Sequence, residues 1–247
     1  MTKIFEIKDK VFKFCAEYDT YLKYAYKFIA ALLLFIVINS SIGFMEKIST
    51  TPVALLLALI CCLLPQNVTI IVAALLVLLN LYALSLEVAL VAFVIFALLF
   101  LLYFRFAPQE GMLFILTPVF FKLGIPYILP IGTGLLRKVY SVSAVVCGTI
   151  AFYFIDGIYQ NITTLGSTMA GEDTGTTLKI SVTISQLVAN KEMFLVVGIF
   201  TLSAIMVYVI RRLSVDNAWK IAIISGTLVQ ISGLFAGYLL FNISDKT

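Results

Sequence analysis

Apolar runs of near-bilayer length, separated only by short charged junctions, set the terms on which this chain can fold. Phe28 to Phe44, Val68 to Leu84, Val88 to Phe104, Val139 to Ile155, Met193 to Ile210 and Ile221 to Phe241 contain no charged residue. A helix needs roughly 20 apolar residues to cross a hydrocarbon core of about 30 Å, so each run is predicted to be a transmembrane helix. Composition closes the other route. With 62% hydrophobic and 12% charged residues and a mean hydropathy of +1.10, the chain has no polar shell for a water-soluble core. It also leaves no room for a separate soluble catalytic domain. The expected fold class is all-α: a polytopic transmembrane helical bundle of about seven to nine membrane segments, some short or broken, preceded by an N-terminal amphipathic helix.

Two segments depart from the simple pattern. Thr51-Pro52 opens one and Pro65 closes it (segment 52–65), leaving Val53 to Leu64. As a helix those residues rise only about 18 Å, short for a full crossing, although proline suits a first helical turn and also marks a helix end. The second, Met112 to Leu136 (112–136), holds Pro118, Lys122, Gly124, Pro126, Pro130, Gly132 and Gly134. It reads as two short pieces or a re-entrant hairpin turning near Lys122-Leu123-Gly124. Backbone broken at membrane depth must be buried in protein or line a wet cavity. Between Val68 and Phe104 there is neither Gly nor Pro, yet one helix there would run about 55 Å. The chain is therefore expected to turn at Ser85, which caps the next helix with Glu87 in its first turn.

Residues 1–27 form a unit distinct from the bundle of 28–247. Over residues 3–26, Ile4, Val11, Cys15, Tyr18, Leu22 and Ala25 recur at helical steps, with lysines flanking them. Such a helix lies in the headgroup layer or docks a partner protein. Its mixture of lysines and carboxylates does not read as a signal peptide. Asp156 to Glu192 reads as a polar loop (157–192) rich in Gly and Thr. Within it Leu178 to Ile184 alternates apolar and polar, suggesting a short strand or interfacial segment. Lys/Arg bias orients the chain. The N-terminal lysines, Arg105, Arg137-Lys138, Arg211-Arg212 and Lys220 all fall on the cytoplasmic side if Val53 to Leu64 crosses and Met112 to Leu136 returns to its own side. Loop 157–192 and the C-terminus then face outside the cytoplasm.

The chain has no histidine, which removes Ser-His and Cys-His nucleophile systems and His-based zinc sites. Gly132-Thr133-Gly134-Leu135-Leu136-Arg137-Lys138 lacks the spacing of a phosphate-binding loop. Cys61, Cys62 and Cys147 sit in apolar runs, and adjacent Cys61-Cys62 lacks metal-site spacing. No enzyme activity, cofactor or metal is expected, and no basic surface interleaved with aromatics points to nucleic acid. The best functional pointer is the pair of proline-bounded segments. Thr51-Pro52-Val53 opens one and Thr117-Pro118-Val119 lies in the other, with Pro65 and Pro130 following at similar spacing. Many secondary transporters build a midplane site from such segments; irregular helices packed in a bundle give the same pattern. Candidate substrate-path or packing residues are Lys122, Pro118, Pro126, Pro130, Asn80 and Gln230. Lys122 also reads as a snorkelling lysine at a hairpin tip, and Asn80 and Gln230 as interhelical hydrogen-bonding groups. Gly226, Gly233 and Gly237, and Gly148 in an earlier run, form small-residue faces for close helix approach within the chain or to a second copy.

Leu79 to Ala107, Ile125-Pro126-Tyr127-Ile128-Leu129-Pro130 and Tyr208 to Trp219 resemble a family of bacterial multi-pass cytoplasmic-membrane proteins with no assigned activity. The resemblance implies a bacterial cytoplasmic membrane and brings no activity to carry over to particular residues. Two functional readings follow. The first is a non-enzymatic integral membrane subunit of a larger export, secretion or transporter assembly, its partners being the lipid bilayer and other membrane subunits or further copies of itself. The alternative is a self-sufficient secondary transporter with its site at segments 52–65 and 112–136.

Overall fold

The computed structural model of the chain describes residues 18–45, 48–162, 172–214 and 216–241. All regular structure among them is helical: α1 (Asp19–Ile42), α2 (Thr51–Leu63), α3 (Gln66–Leu84), α4 (Leu86–Phe106), α5 (Gly111–Lys122), α6 (Ile128–Leu136), α7 (Val142–Gln160, entered through a 3-10 turn at Val139–Ser141), α8 (Glu172–Val188), α9 (Lys191–Arg211) and α10 (Ala218–Phe241). Six stretches are long and apolar enough to cross a membrane: Tyr21–Ile42, Gln66–Leu84, Leu86–Phe106, Val139–Gln160, Lys179–Arg211 and Ala218–Leu239. Thr51–Leu63 and Gly111–Lys122 are shorter apolar helices.

A few side-chain ties show how the helices alternate. At the end where α1 begins, the Cys62 thiol lies 3.1 Å from the Tyr24 carbonyl and the Gln66 amide donates to the Tyr26 hydroxyl at 3.2 Å. There too the Tyr103 hydroxyl donates to Asn67 Oδ1 at 2.9 Å. The start of α1, the end of α2, the start of α3 and the end of α4 therefore share this basal end. At the opposite, distal end, Asn80 Oδ1 accepts from Met45 N at 3.1 Å and Ser49 Oγ at 3.0 Å, locking α3 to the turn between α1 and α2. Ser85 caps α4, its hydroxyl oxygen accepting from Val88 N. The principal core joins α1, α3, α4, α5 and α7 around fully buried Phe35, Leu81, Ala92, Tyr103 and Cys147, with Ala54 and Ala58 letting α2 lie close to α1. A second cluster, Leu129, Val145, Val196 and Phe200, joins α6, α7 and α9.

The structure revises several expected boundaries. Tyr21, Tyr24 and Tyr26 belong to the same helix as the first apolar run, because nothing between Asp19 and Phe28 breaks it. Residues 1–17 of the expected amphipathic helix, with Cys15, lie outside the described residues, as do 163–171 of the expected loop. The rest of that loop is helical rather than irregular. α7 continues past Asp156, which accepts from the Gln160 amide one turn on at 2.7 Å. Glu172–Val188 forms α8 in place of the short strand at Leu178 to Ile184. Seven alternating residues are too few to fix a period. The inward positions in fact recur at Lys179 and Ile180, Val182 and Thr183, and Gln186 and Leu187, which is helical spacing. The fully buried Thr183 hydroxyl donates to the Lys179 carbonyl one turn back, at 2.7 Å.

Candidate functional site

The segment from Gly111 to Leu136 enters from the basal end, turns and comes back. Its sequence explains the turn. α5 ends in a pair of backbone bonds, Ile125 N to Phe120 O and Gly124 N to Phe121 O, each 3.0 Å. This is the Schellman pattern, which needs a left-handed residue just past the helix. Gly124 fills that place with φ +75°. Pro126 lacks an N–H and follows at once, so the helix cannot resume until Ile128. Pro130 then falls in the first turn of α6, where a missing N–H leaves nothing unsatisfied. Pro118 sits inside α5 and beside a narrow apolar crevice bordered by Phe96, Phe114 and Phe152.

The tip of the hairpin lies at mid-depth. Phe121 stacks on Phe152 with ring centroids 4.7 Å apart, and both Phe121 and Tyr127 pack on Phe200, halfway along α9. The backbone freed by the turn is answered from α10. Gln230 Nε2 donates to the Tyr127 carbonyl at 3.1 Å and to Ser203 Oγ at 3.1 Å, and the Ser203 hydroxyl donates to the Gly226 carbonyl at 3.2 Å. Gln230 and Ser203 are buried. Replacing Gln230 by Leu strands a buried carbonyl, and an expected loss of about 1–2 kcal/mol is readable as a lower unfolding temperature in detergent. Lys122 is exposed at the tip and forms no ion pair among the described residues. Nearby, the Tyr153 hydroxyl donates to Glu192 at 3.1 Å.

The two feet of the hairpin meet at the basal end. Glu110, just before α5, is buried. Its Oε1 accepts from the Ser141 hydroxyl at 3.0 Å and its Oε2 lies 3.5 Å from Arg137 Nε, just after α6. Beside this clasp opens a polar cleft of about 570 Å³ whose far wall carries Tyr208 and Arg211 from α9 and Arg212 just past its end. The Arg212 guanidinium rests 4.8 Å above the Tyr208 ring, and the Lys138 ammonium 5.7 Å from the Tyr140 ring centroid. Sequence reasoning missed Glu110 and Ser141. The available signal was the opposite charges flanking the broken segment, Glu110 before it and Arg137-Lys138 after it.

The remaining candidates are dispersed. Asn80 is fully buried away from the hairpin and holds the distal turn. Gly148 faces Thr117 of α5, where an added Cβ would stand 2.7 Å from the Thr117 Cβ. Gly226, Gly233 and Gly237 face Val207, Ile199 and Leu195 of α9. The glycine face of α10 is thus filled from within the chain. Of the two proline-bounded segments, α2 packs mainly on α1 with Leu55, Leu56, Leu59 and Leu63 exposed, and none of its residues lines the crevice or the cleft. No protein-family model, curated protein or solved structure matches this chain.

Proposed function

We propose that this chain is a multi-pass protein of a bacterial cytoplasmic membrane that serves as a non-enzymatic subunit of a larger membrane assembly. Its basal end and N-terminus face the cytoplasm and its C-terminus the other side. Support for the orientation comes from cation placement. Lys23, Arg105, Arg137, Lys138, Arg211 and Arg212 gather at the basal end through the ties described above, and Lys220 joins them because α10 runs antiparallel to α9. Such a concentration marks the cytoplasmic side.

The observation that carries the subunit reading is the fate of the buried polar groups behind the hairpin tip. A carrier keeps side-chain or backbone groups free for its solute near the membrane midplane. Here both Gln230 donors are committed to the chain's own Tyr127 carbonyl and Ser203, which makes the hairpin a braced scaffold. Purification at native abundance from the host, in mild detergent, tests the reading by mass spectrometry of stoichiometric companions. A recurrent membrane or ATPase companion is expected. A companion-free protein that moves solute in liposomes, with flux lost in Lys122→Ala and Pro126→Ala, would replace this reading with the carrier.

A further inference from the structure

We propose that the cleft at the base of the hairpin binds a phosphate-bearing headgroup of net negative charge. The cleft gathers Arg137, Lys138, Arg211 and Arg212 around one concave surface, against the single carboxylate of Glu110. That carboxylate offsets the charge of Arg137, with which it pairs, and leaves Lys138, Arg211 and Arg212 as the net positive charge of the cleft. It acts as a positioning residue that holds the Arg137 side chain at the cleft wall. Arg212 is steadied by Tyr208 and Lys138 by Tyr140, so part of the ordering cost of binding is met before the anion arrives. Arginine forks match phosphate oxygens bidentately. Surface cations that merely mark sidedness need no shared concavity. Arg105 serves as the comparison: it is exposed at the same end and does not line the cleft.

The position of the cleft favours a lipid. It opens where the basal ends of α6 and α9 meet, beside tyrosines of the kind found at membrane interfaces. A phosphodiester headgroup entering there would meet cations from two walls, the hairpin and α9. A free phosphate compound in the cytoplasm presents the same chemistry, and the experiment separates the two sources.

The purified full-length chain in a neutral detergent is titrated with short-chain phosphatidylglycerol, short-chain phosphatidylcholine and inorganic pyrophosphate, with thermal stabilisation as the readout. Saturable stabilisation by phosphatidylglycerol and none by phosphatidylcholine is expected. Saturation by pyrophosphate as well would assign the site to soluble phosphates; its failure would assign it to a lipid headgroup. Arg211→Gln/Arg212→Gln is expected to raise the half-saturating concentration about tenfold or more, the effect of losing charge-assisted hydrogen bonds. Lys138→Gln on the other wall is expected to raise it about threefold, and Arg105→Gln to leave it within about twofold. Equal response to phosphatidylcholine, an Arg105→Gln effect as large as that of the double variant, or parental titration by the double variant each overturns the proposal. The first would mean that apolar partitioning of lipid, and the second that charge anywhere at the basal end, governs the response in place of the cleft.

Discussion

Gly134→Ala is expected to lower the stability of the bundle by about 1–3 kcal/mol, while Gly132→Ala, two residues earlier in the same helix, holds or raises it by up to about 1 kcal/mol. The difference comes from what an added methyl group meets. At Gly134 it would stand 2.7 Å from the Ala204 carbonyl oxygen and 2.8 Å from the Val207 side chain, so α6 and α9 would have to separate. Backbone cannot rotate aside as a flexible side chain can. At Gly132 nothing lies within 4 Å, and alanine only removes the conformational freedom that glycine brings to a helix. Thermal unfolding followed with a thiol-reactive dye is a direct readout, since Cys61 and Cys147 are buried free thiols released on unfolding. Equal effects at the two glycines would mean that α6 does not approach α9 as described.

The second large effect belongs to the clasp at the base of the hairpin. Arg137→Met is expected to cost about 2 kcal/mol, less than the 3–5 kcal/mol typical of breaking a fully buried pair. The reduction reflects solvent: the Arg137 side chain is 54% exposed, whereas that of Glu110 is 7% exposed. The damage lies in the carboxylate left behind, buried and without a cation. Adding Glu110→Gln to Arg137→Met should therefore recover most of the loss, because a neutral amide still accepts from the Ser141 hydroxyl. Unfolding temperatures of the two single variants and the double variant complete the cycle. Additive losses would show that the two residues do not act as a pair.

These two sites also show where sequence reading reached and where it stopped. The hairpin was legible because its causes are local. Gly124 supplies the left-handed turn, Pro126 stops the helix, and Pro130 is harmless in the first turn of α6. The turn at Ser85 was legible for a similar reason, since an uninterrupted helix would have outrun any bilayer. The clasp was not legible, because Glu110, Arg137 and Ser141 are brought together by the return of the chain and not by any sequence period. The partner of the α10 glycine face was equally hidden: a small-residue face declares close approach but not to what, and α9 answers it. At α8 the signal was ambiguous in itself, because seven residues of alternation also fit a helix buried on one side.

The return of the hairpin to its own side has a consequence for how the chain tolerates rearrangement. In a bilayer, every full crossing inverts the sidedness of all that follows it, and a hairpin that enters and leaves through one face inverts nothing. In the membrane placement proposed above, Gly111–Leu136 is a module of even parity, closed at its feet by charges of opposite sign. Such a module can lengthen, shorten or vanish without turning the downstream helices over. α2, small as it is, is an odd step: it leads from the distal turn back to the basal end, and under the membrane placement proposed above its loss would turn α3 to α10 over.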